Sequence, residues 1–419
     1  MKYYPGVRKI NTTAAQKYSV RDNYHRPDQK NNLVYQGDWN PDLSKLSTVE
    51  YVKKRHVRVS NNDEGFSVLN WAFLQGALAN SNAARFVVNV PNKGGTSWSS
   101  IENSAWGTSI EMPKIGSYQG NPINNTKIIK KMGRFFGADL VGVCQLDRRW
   151  VYSHYYNRET KRSYPIRFSD EIGYEGYTRP TQLEDGTQVI PKEMKYAIVF
   201  IHEMDYSGIK TAPSLTQMAT TMATYSRIAL TTMSIAEFIR GLGYQSIPSA
   251  NCTALNIPLA IDAGLGELGR NAKLINPLFG PRCRISKVIT DFPVIPDKPI
   301  EFGVSRFCRT CKKCAEACEV KAIPMGEPSY IPKGNYSQAD VLQWQIDHEK
   351  CRRYWTTEGT NCGICISVCP YNKINSPLHL GLKSIAALFP VFNKLLIKMN
   401  DYFGYDSILS SAYFWKDVD

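Results

Sequence analysis

The pattern of apolar and polar positions becomes regular from about residue 125 onward. Residues 127–136 place apolar side chains at helical spacing, and Gly137 ends that segment. The run LVGVC at residues 140–144 is short, apolar and partly β-branched, which is typical of a buried strand. The chain is therefore expected to enter a packed core with a helix followed by a strand.

A second pair of elements follows further along the chain. Residues 196–201 form another apolar run that predicts a buried strand, and residues 214–240 contain no proline and predict a long helix. That helix is expected to end near Gly241 and Gly243, and a further strand or loop begins at residue 246. Together these elements predict an α+β fold with an α/β core.

The segments on either side of this core are less regular. Residues 1–125 are rich in Asn, Tyr, Gly and Pro and contain short elements such as residues 84–90 (ARFVVNV), so we expect an irregular region there. Residues 378–399 carry apolar side chains at helical spacing with an interruption at Pro390. That segment predicts a buried packing helix, and the alternative is an exposed docking surface.

Length and composition bound the architecture. The chain has 419 residues with 43% hydrophobic and 11% aromatic content, enough to bury a large core in two or three domains. No apolar run reaches the ~18 residues of a transmembrane helix, and the first residues lack a signal-peptide core. We expect a soluble chain in a form from which any export signal has been removed.

Eight of the eleven cysteines lie between Cys308 and Cys369. They form two runs with the spacings C-x2-C-x2-C-x3-C and C-x10-C-x2-C-x3-C-P. In two-cluster ferredoxins, three thiolates at two-residue intervals bind one [4Fe-4S] cluster and the fourth cysteine of each run binds the other cluster. The spacing therefore predicts cluster 1 on Cys308, Cys311, Cys314 and Cys369, and cluster 2 on Cys318, Cys351, Cys362 and Cys365.

Zinc and disulfides are the alternatives for these cysteines, because both also use Cys-x2-Cys pairs. A third cysteine at the next two-residue step and the crossed fourth ligands favour iron and sulfide. Glu319 stands where bacterial ferredoxins usually have proline, which should change local rigidity more than cluster binding. The remaining cysteines, Cys144, Cys252 and Cys283, have apolar neighbours and are predicted to be small buried residues.

The charge of the chain fits this prediction. The formal net charge of +14 is spread along the sequence without a long basic block, so no nucleic-acid partner is expected. Each cluster with its four thiolates carries roughly −2, so two clusters offset roughly four positive charges. An acidic partner or an anionic membrane surface is the alternative explanation of the basic surface.

Residues 264–269, GLGELG, match the dinucleotide-binding fingerprint letter for letter. That fingerprint should follow the first strand of a domain and precede an acidic residue by about 20 positions, whereas this copy lies late in the core. We therefore reject NAD binding. The loop is interpreted as a contact with another flat, phosphate-bearing cofactor, and the alternative is a plain turn. The predicted contacts are Gly264, Gly266, Gly269, Arg270 and Asn271.

Three features together resemble the respiratory reductive dehalogenases, which use a corrinoid and iron-sulfur clusters to remove halogen from organohalides. They are the crossed cysteine runs, the segment GRFFGADLVG at residues 133–142 followed by DRRWVY at residues 147–152, and the loop at residues 264–270. The resemblance covers most of the chain. It implies a base-off corrinoid without a histidine on cobalt, and this chain agrees in lacking an Asp-x-His-x-x-Gly element.

The resemblance also implies the catalytic residues. The family's proton donor is a tyrosine supported by an arginine and close to an asparagine, and local context assigns these roles to Tyr225, Arg284 and Asn251. A guanidinium beside a phenol stabilises the phenolate and so helps the phenol to give up its proton. Thr221 lies one helical turn before Tyr225 and is expected in the same substrate pocket. The alternatives are an interior tyrosine, a surface arginine and a capping asparagine, with Arg282 easily confused with Arg284.

A domain plan follows from the resemblance. Residues 1–125 would form the N-terminal part of the corrinoid and substrate domain, residues 126–300 a nitroreductase-like corrinoid-binding core, residues 301–375 a two-cluster ferredoxin-like domain, and residues 376–419 a C-terminal helix and aromatic tail. An upstream low-potential donor would supply electrons through the two [4Fe-4S] clusters to cobalt, and Tyr225 would supply the proton. The expected role is the terminal reductase of organohalide respiration, acting on a small chlorinated alkane or alkene.

The resemblance further implies a location and partners. The family's enzymes lie at the outer face of the cytoplasmic membrane, held by a separate small anchor protein, and a homodimer is allowed. The tail at residues 402–415 is similar to the family's aromatic C-terminus and is expected to fold over the corrinoid site. These expectations come from the family alone.

Two other functions stay open. An enzyme like epoxyqueuosine reductase would share the cobalamin, the two clusters and a similar glycine loop, and would act on transfer RNA. It would use a carboxylate as proton donor and carry a C-terminal helical-repeat module, whereas this chain has Tyr225 at the matched position and about 50 residues after Cys369. A non-catalytic electron-transfer subunit would hold iron and sulfide without a corrinoid.

Overall fold

A four-stranded antiparallel sheet forms the centre of the protein in the computed structural model, which describes residues 3–88 and 117–418 and, for residues 79–88, the backbone alone. The strands are β1 (Arg8–Lys9), β2 (Leu140–Gln145), β3 (His154–Asn157), β4 (Arg162–Phe168), β5 (Thr181–Gln182), β6 (Gln188–Ile190), β7 (Tyr196–Glu203), β8 (Ser246–Ser249), β9 (Glu267–Leu268), β10 (Leu274–Ile275), β11 (Cys283–Thr290) and β12 (Ile300–Glu301).

Helices surround the sheet on both faces. They are α1 (Ala14–Lys17), α2 (Leu33–Trp39), α3 (Thr48–Ser60), α4 (Val68–Val88), α5 (Pro122–Phe135), α6 (Tyr206–Lys210), α7 (Leu215–Gly241), α8 (Asn256–Asp262), α9 (Val304–Thr310), α10 (Lys313–Glu316), α11 (His348–Glu358), α12 (Ile364–Ser367), α13 (Pro377–Leu388), α14 (Asn393–Tyr402) and α15 (Ala412–Trp415). Short 3₁₀ turns lie at Gln29–Asn31, Pro41–Leu46, Arg148–Trp150 and Pro390–Phe392.

The central sheet has the strand order β2-β7-β11-β8, and every pairing in it is antiparallel. Side chains alternate between its two faces. On one face Val288 and Phe200 pack in a cluster with residues of α5 and α7, and on the other Ile289 packs in a cluster with residues of α8. Arg284 and Lys287 are an odd number of positions apart on β11, so they project toward opposite faces.

Helix α7 positions much of the site described below. The Ser214 side chain caps its first turn by accepting from the Gln217 N–H, and Gly243, with φ of +89°, follows its end. Its apolar positions are spread around the helix because it packs against α4 on one side and against the sheet on the other. A helix buried in this way is held over its full length.

The core elements predicted from the sequence are confirmed. Helix α5 includes residues 127–135, strands β2 and β7 include the two apolar runs, and α7 includes residues 215–240. The mixed helix and sheet fold is confirmed as well. The helices were recognisable because glycines mark their ends, and the buried strands because each is a short, continuous apolar run.

The prediction of an irregular N-terminal region was wrong for the part that the structure describes. Helices α3 and α4 are 13 and 21 residues long, and α4 continues through residues 84–88, where we expected a separate short element. Residues 89–116, which hold the end of that expected element, lie outside the described residues. The many asparagines misled the prediction, because residues such as Asn32 and Asn40 cap helices here rather than interrupt them.

Two buried arginines join the core to the cysteine-rich region. Arg270 donates to the carbonyl oxygens of Cys308, Pro324 and Gly326 at 2.7 to 3.0 Å. Arg282 pairs with the Glu203 carboxylate at 2.5 Å and also donates to the Met204 carbonyl and to Asn372 Oδ1. Both guanidinium groups are almost fully buried and their hydrogen bonds fix the orientation of the cysteine-rich region.

The C-terminal helices α13 and α14 meet at a bend of 112° beside Pro390. The interruption at Pro390 is confirmed, but burial is limited to one face. Ala386 and Ala387 are buried, whereas Phe389 and Val391 are 53% and 82% exposed. In the part of the chain that the structure describes, no single helix has the length and apolar composition needed to cross a membrane, although this bent pair would meet that requirement if its two helices were counted together.

Candidate active site

The cysteines of residues 308–369 fall into two spatial groups. Burial raises the pKa of Cys314 well above its usual range, and the neighbouring thiols of Cys369 and Cys308 raise it further. Burial likewise raises the pKa of Cys362, and there the neighbours are Cys365, Cys351 and Cys318. The structure thus brings together the two sets of four that the spacing predicts.

The cysteine groups lie side by side and are built by short local segments. Cys365, of the second group, also raises the pKa of Cys314, of the first. Backbone N–H groups point at the sulfur atoms, from Ala322 to Cys318 Sγ at 3.3 Å and from Ile364 to Cys362 Sγ at 3.5 Å. Such N–H donors stabilise the negative sulfur of a cluster ligand, so the local backbone suits thiolates.

The donor sets fit iron-sulfur clusters better than zinc or disulfides. Within residues 3–88 and 117–418, no three His, Cys, Asp or Glu side chains converge closely enough to hold a single metal ion. A cubane is larger than one ion, so its four thiolates stand further apart than zinc ligands do. All eleven cysteines are free thiols. Of the three outside the groups, Cys144 and Cys283 are buried as predicted, whereas Cys252 is half-buried.

The predicted catalytic side chains meet at one end of the central sheet. Tyr225 and Thr221 lie one turn apart on α7, Asn251 lies in the loop after β8, and Arg284 lies on β11. Asn251 Nδ2 donates to the Tyr225 hydroxyl oxygen at 2.9 Å. Residues separated by up to 63 positions therefore form one polar group. The local spacing of residues in the sequence could not have established that they meet.

Arg284 contacts this group differently from our expectation. Its guanidinium lies over the Tyr225 ring, 5.4 Å from the centroid, and its Nη2 donates to Thr221 Oγ1 at 3.5 Å. We expected it to approach the phenol oxygen, and among the described contacts it meets the ring face instead. Arg284 Nε is buried without a hydrogen-bond partner in the described structure. A buried N–H of this kind is a donor available to a bound anion or polar ligand.

A large cavity adjoins this polar group. Its volume is about 840 Å³, and both Asn251 and Cys351 line it. The walls come from distant parts of the chain, including His25, Trp150 and Trp344. Cys351 belongs to the second cysteine group, so one space reaches from a predicted cluster ligand to the residue that holds the tyrosine. The N-terminal region contributes to this space.

The glycine loop has a different environment from the one predicted. A side chain at Gly264 would collide with the Lys298 carbonyl at 2.5 Å, one at Gly266 with the Ile275 carbonyl, and one at Gly269 with the Ile275 side chain at 2.8 Å. These glycines permit close packing of protein against protein. The loop is buried throughout, so the structure does not support the prediction that its glycines approach a cofactor.

The two polar residues after that loop are also engaged within the protein. The Arg270 guanidinium is used by carbonyl oxygens of the cysteine-rich region, and Asn271 Nδ2 donates to the Cys365 carbonyl at 3.2 Å. Both side chains are buried. They join the core to the cluster-binding loops, and the assignment of Arg270 and Asn271 as cofactor contacts is therefore corrected to a structural role.

The aromatic tail lies away from the large cavity. Phe414 stacks on Phe73 of α4 with ring centroids 5.3 Å apart, and Trp415 Nε1 donates to Asn70 Oδ1 at 2.8 Å. The residues described as lining the cavity lie between positions 14 and 355. We expected the tail to fold over the corrinoid site; in the described structure it packs against α4 and does not line this cavity.

Sequence reasoning missed two polar residues behind the tyrosine. Asn256, the first residue of α8, donates to Asn251 Oδ1 at 2.9 Å, and Lys287 of β11 donates to Asn256 Oδ1 at 2.7 Å. Lys287 is fully buried. A lysine in the middle of the otherwise apolar run ISKVI was the signal that could have drawn attention to it.

Comparison with known protein families agrees with these groups. A family model described as the reductive dehalogenase subunit matches residues 153–294, the segment that holds Tyr225, Asn251 and Arg284. A second model, described as a 4Fe-4S double cluster binding domain, matches residues 307–372 and includes all eight grouped cysteines. The chain therefore has a domain for two [4Fe-4S] clusters.

Individual relatives extend the match beyond these segments. Tetrachloroethene reductive dehalogenases of Sulfurospirillum multivorans and Desulfitobacterium hafniense are each 37% identical to the chain, over 299 and 326 residues and 70% of its length. The chain spans 60% and 58% of their lengths. A solved reductive dehalogenase, described with a mechanism for B12-dependent dehalogenation, aligns with a TM-score of 0.65 and 22% identity over 96% of this chain and 49% of its own. On these matches the chain is similar to the reductive dehalogenases over most of its length.

Proposed function

We propose that this protein reduces a small chlorinated hydrocarbon, an alkane or alkene, at a base-off corrinoid. In the overall reaction the substrate takes up two electrons and one proton, its carbon-chlorine bond breaks, a carbon-hydrogen bond forms and chloride leaves. The observation that carries the proposal is the shared cavity. Asn251, which is bonded to Tyr225, and Cys351, from the second cysteine group, line the same space.

The cavity is large, and its lining suits a corrinoid. Its volume of about 840 Å³ lies in the upper part of the usual range for ligand pockets, roughly 300–1,000 Å³. Asn335, Ser337 and Gln338 on one wall could hydrogen-bond the amide groups at the rim of the macrocycle, and Trp150 and Trp344 offer flat apolar surface. When bound, the corrinoid would supply the low-potential metal centre that breaks the carbon-halogen bond.

Tyr225 is the proposed proton donor in this reaction. Its oxygen accepts a hydrogen bond from Asn251, which stabilises the phenolate left after proton transfer. The Arg284 guanidinium over the ring adds positive charge, and its unpartnered Nε is a donor for negative charge that develops nearby. Thr221 holds the other end of that guanidinium.

Electrons would reach the cavity through the two clusters in sequence. Because Cys351 lines the cavity, cluster 2 is proposed as the proximal cluster and cluster 1 as the distal one. Burial raises the pKa of the Cys365 and Cys351 thiols, and the positive charge of Lys273, which also lines the cavity, opposes that rise and offsets negative charge at cluster 2. An upstream low-potential donor would meet the distal cluster.

A location at the membrane is proposed as well. The family resemblance supports the outer face of the cytoplasmic membrane and a separate small anchor protein, with organohalide respiration as the wider role. The exposed apolar side chains around the bend between α13 and α14 offer a docking surface for such an anchor. Co-purification of the chain with the anchor, and its loss when Phe389 and Val391 are changed to serine, would test this proposal.

Cofactor content is the first experiment. Anaerobically prepared protein, reconstituted with iron, sulfide and corrinoid, should contain about eight iron and one cobalt per chain and should release chloride from chlorinated ethenes with a low-potential donor. Full iron without retained cobalt would reject the dehalogenase and favour an electron-transfer subunit. Cobalt retained with turnover of an epoxyqueuosine-containing stem loop, and none of chloroethenes, would favour the epoxyqueuosine reductase alternative.

A further inference from the structure

A buried lysine lies behind the tyrosine pocket. Lys287 stands in the middle of β11 and has no exposed surface. Its side-chain nitrogen donates to three oxygens, Asn256 Oδ1 at 2.7 Å and the carbonyls of Cys252 and Ala250 at 3.0 and 3.1 Å. A lysine ammonium has donors and no acceptor, so each of these oxygens must accept.

This contact sets the direction of the hydrogen bonds that lead to the phenol. Since Asn256 Oδ1 accepts from the lysine, Asn256 Nδ2 is turned toward Asn251 and donates to its Oδ1 at 2.9 Å. Asn251 Nδ2 then faces the Tyr225 oxygen and donates to it at 2.9 Å. Asn256 Nδ2 also lies 2.9 and 3.0 Å from the carbonyls of Ala250 and Ile285, so turning the amide over would break every one of these bonds.

We propose that Lys287 and Asn256 are positioning residues for the proton donor, an inference that rests on the proposed function. They hold the Asn251 amide so that it donates to the phenol oxygen. The O–H of Tyr225 is then free to point toward a substrate, and the phenolate that remains is stabilised by the same amide. In the reversed orientation Asn251 Oδ1 would accept a hydrogen bond from the Tyr225 O–H, and the proton that the reaction needs would point away from the substrate.

Several elements contribute charged or titratable groups around this relay. Arg284 on β11 lies over the Tyr225 ring, and His202 lies opposite Arg284 on the neighbouring strand β7 in the antiparallel register. In the described structure, the Cys252 thiol is the titratable group that acts on Lys287, and burial lowers the pKa of Lys287 to about 7. The ammonium and the neutral amine both carry N–H groups, so donation to the amide can persist through that titration.

The test follows the phenol itself in the cluster-loaded protein without substrate. With tyrosine labelled by ¹³C at Cζ, the Tyr225 resonance is identified by its loss in Tyr225→Phe and is then titrated with pH. We expect Lys287→Met and Asn256→Ala each to move its titration midpoint upward by about one pH unit, the size of one hydrogen bond to a charged oxygen. The double variant should move it no further, because both changes break the same relay.

Lys383→Met is the matched control. Lys383 is also buried, and its Nζ donates to the carbonyls of Pro277 and Leu278, away from the tyrosine pocket. This variant should leave the midpoint of the phenol titration unchanged. A midpoint that moves as far in the control as in Lys287→Met would show a general effect of removing a buried charge and would overturn the relay.

The remaining outcomes separate the relay from the proposed function. If Lys287→Met moves the midpoint and Asn256→Ala does not, the lysine charge acts through space and the relay is rejected; if Lys287→Met fails to fold, Asn256→Ala decides alone. In active enzyme, the fall of kcat at high pH should move upward in the same variants, because the acid keeps its proton longer. Shifted midpoints in a protein that does not dehalogenate would support the relay and reject the proposed function. Dehalogenation with unchanged midpoints would support the proposed function and reject the relay.

Discussion

The cluster domain and the tyrosine pocket are built in opposite ways. Seven of the eight grouped cysteines lie in two runs of 11 and 8 residues, 308–318 and 362–369, and Cys351 lies between the two runs. The pocket, by contrast, takes Thr221 and Tyr225 from α7, Asn251 from a loop and Arg284 from β11. The cluster ligands are therefore determined by the local spacing of cysteines, whereas the tyrosine pocket forms only when the whole sheet has folded.

This difference determines how each site should respond to change. Short loops bring the cysteines together, and the crossed ligands make each cluster depend on both runs. Replacement of one cysteine should therefore cause loss of an iron-sulfur cluster. The pocket is held by packed elements and by a chain of hydrogen bonds. Loss of one of its side chains should change the rate of reaction while the cofactors stay in place.

The largest effect is expected from removal of a cluster ligand. Cys365→Ser should reduce the iron content from about eight to about four or fewer per chain and abolish turnover, because cluster 2 is the proposed link between cluster 1 and the cavity. Iron and sulfide analysis with a turnover assay would measure it. Cys283→Ser changes a buried thiol outside the groups and should keep full iron. Full iron and activity in Cys365→Ser would contradict the ligand assignment.

Removal of the phenol hydroxyl should be next in size. Tyr225→Phe should lower kcat by about 10²- to 10⁴-fold, the usual contribution of a general acid, with iron and cobalt content unchanged. Tyr244→Phe is the control, because its hydroxyl donates to the Tyr118 carbonyl outside the pocket. Turnover that is the same in Tyr225→Phe and in the parent would remove this tyrosine from the mechanism.

Arg282 and Arg284 are expected to differ in role, the first stabilising the fold and the second acting in the tyrosine pocket. Arg282→Met should lower the free energy of unfolding by about 3 kcal/mol, because a buried carbonyl, an amide and a carboxylate lose their shared donor. Arg284→Met should change unfolding by about 1 kcal/mol or less and slow turnover instead. Chemical denaturation and kcat for the two variants would be compared. The reverse pattern would mean that the roles of the two arginines have been exchanged.

The smallest effect concerns pH. Burial lowers the pKa of Lys383 from 10.5 to about 7, so between these values the unfolded chain binds more protons than the folded one and stability rises with pH. Lys383→Met should remove this contribution and flatten the rise in unfolding free energy between pH 7 and pH 9.5. Lys394→Met, at an exposed position on α14, should keep the slope of the parent. An unchanged slope in Lys383→Met would show that this amine is not the group that titrates.

The sequence was most informative where structure is local. The spacing of Cys308, Cys311 and Cys314 predicts a shared cluster because a tight loop sets their distances, and the glycines that end α5 and α7 mark the limits of those helices. The N-terminal helices were missed because the region is rich in asparagine, although asparagines such as Asn32 act there as helix caps. Composition alone cannot separate an asparagine that caps a helix from one in a loop.

The pocket was less accessible to sequence reasoning for a physical reason. Tyr225, Asn251 and Arg284 came from family resemblance, and only the folded sheet shows that their side chains meet. The glycine loop shows the opposite error. GLGELG has the letters of a cofactor loop, but each missing side chain makes room for a neighbouring carbonyl or for Ile275. Lys287 was visible as a charge in an apolar strand, yet its partners could not be inferred without the register of β8 and β11.

The large cavity also has a consequence for biosynthesis. Its walls include residues near position 14 and residues as late as position 355, so the space is complete only after these distant segments have all left the ribosome. Any cofactor that fills it must be loaded after residue 355 has been synthesised. Because the lining also includes Cys351, insertion of the second cluster and closure of the cavity share a residue. Maturation of the metal centres and completion of the pocket are therefore steps of one assembly process.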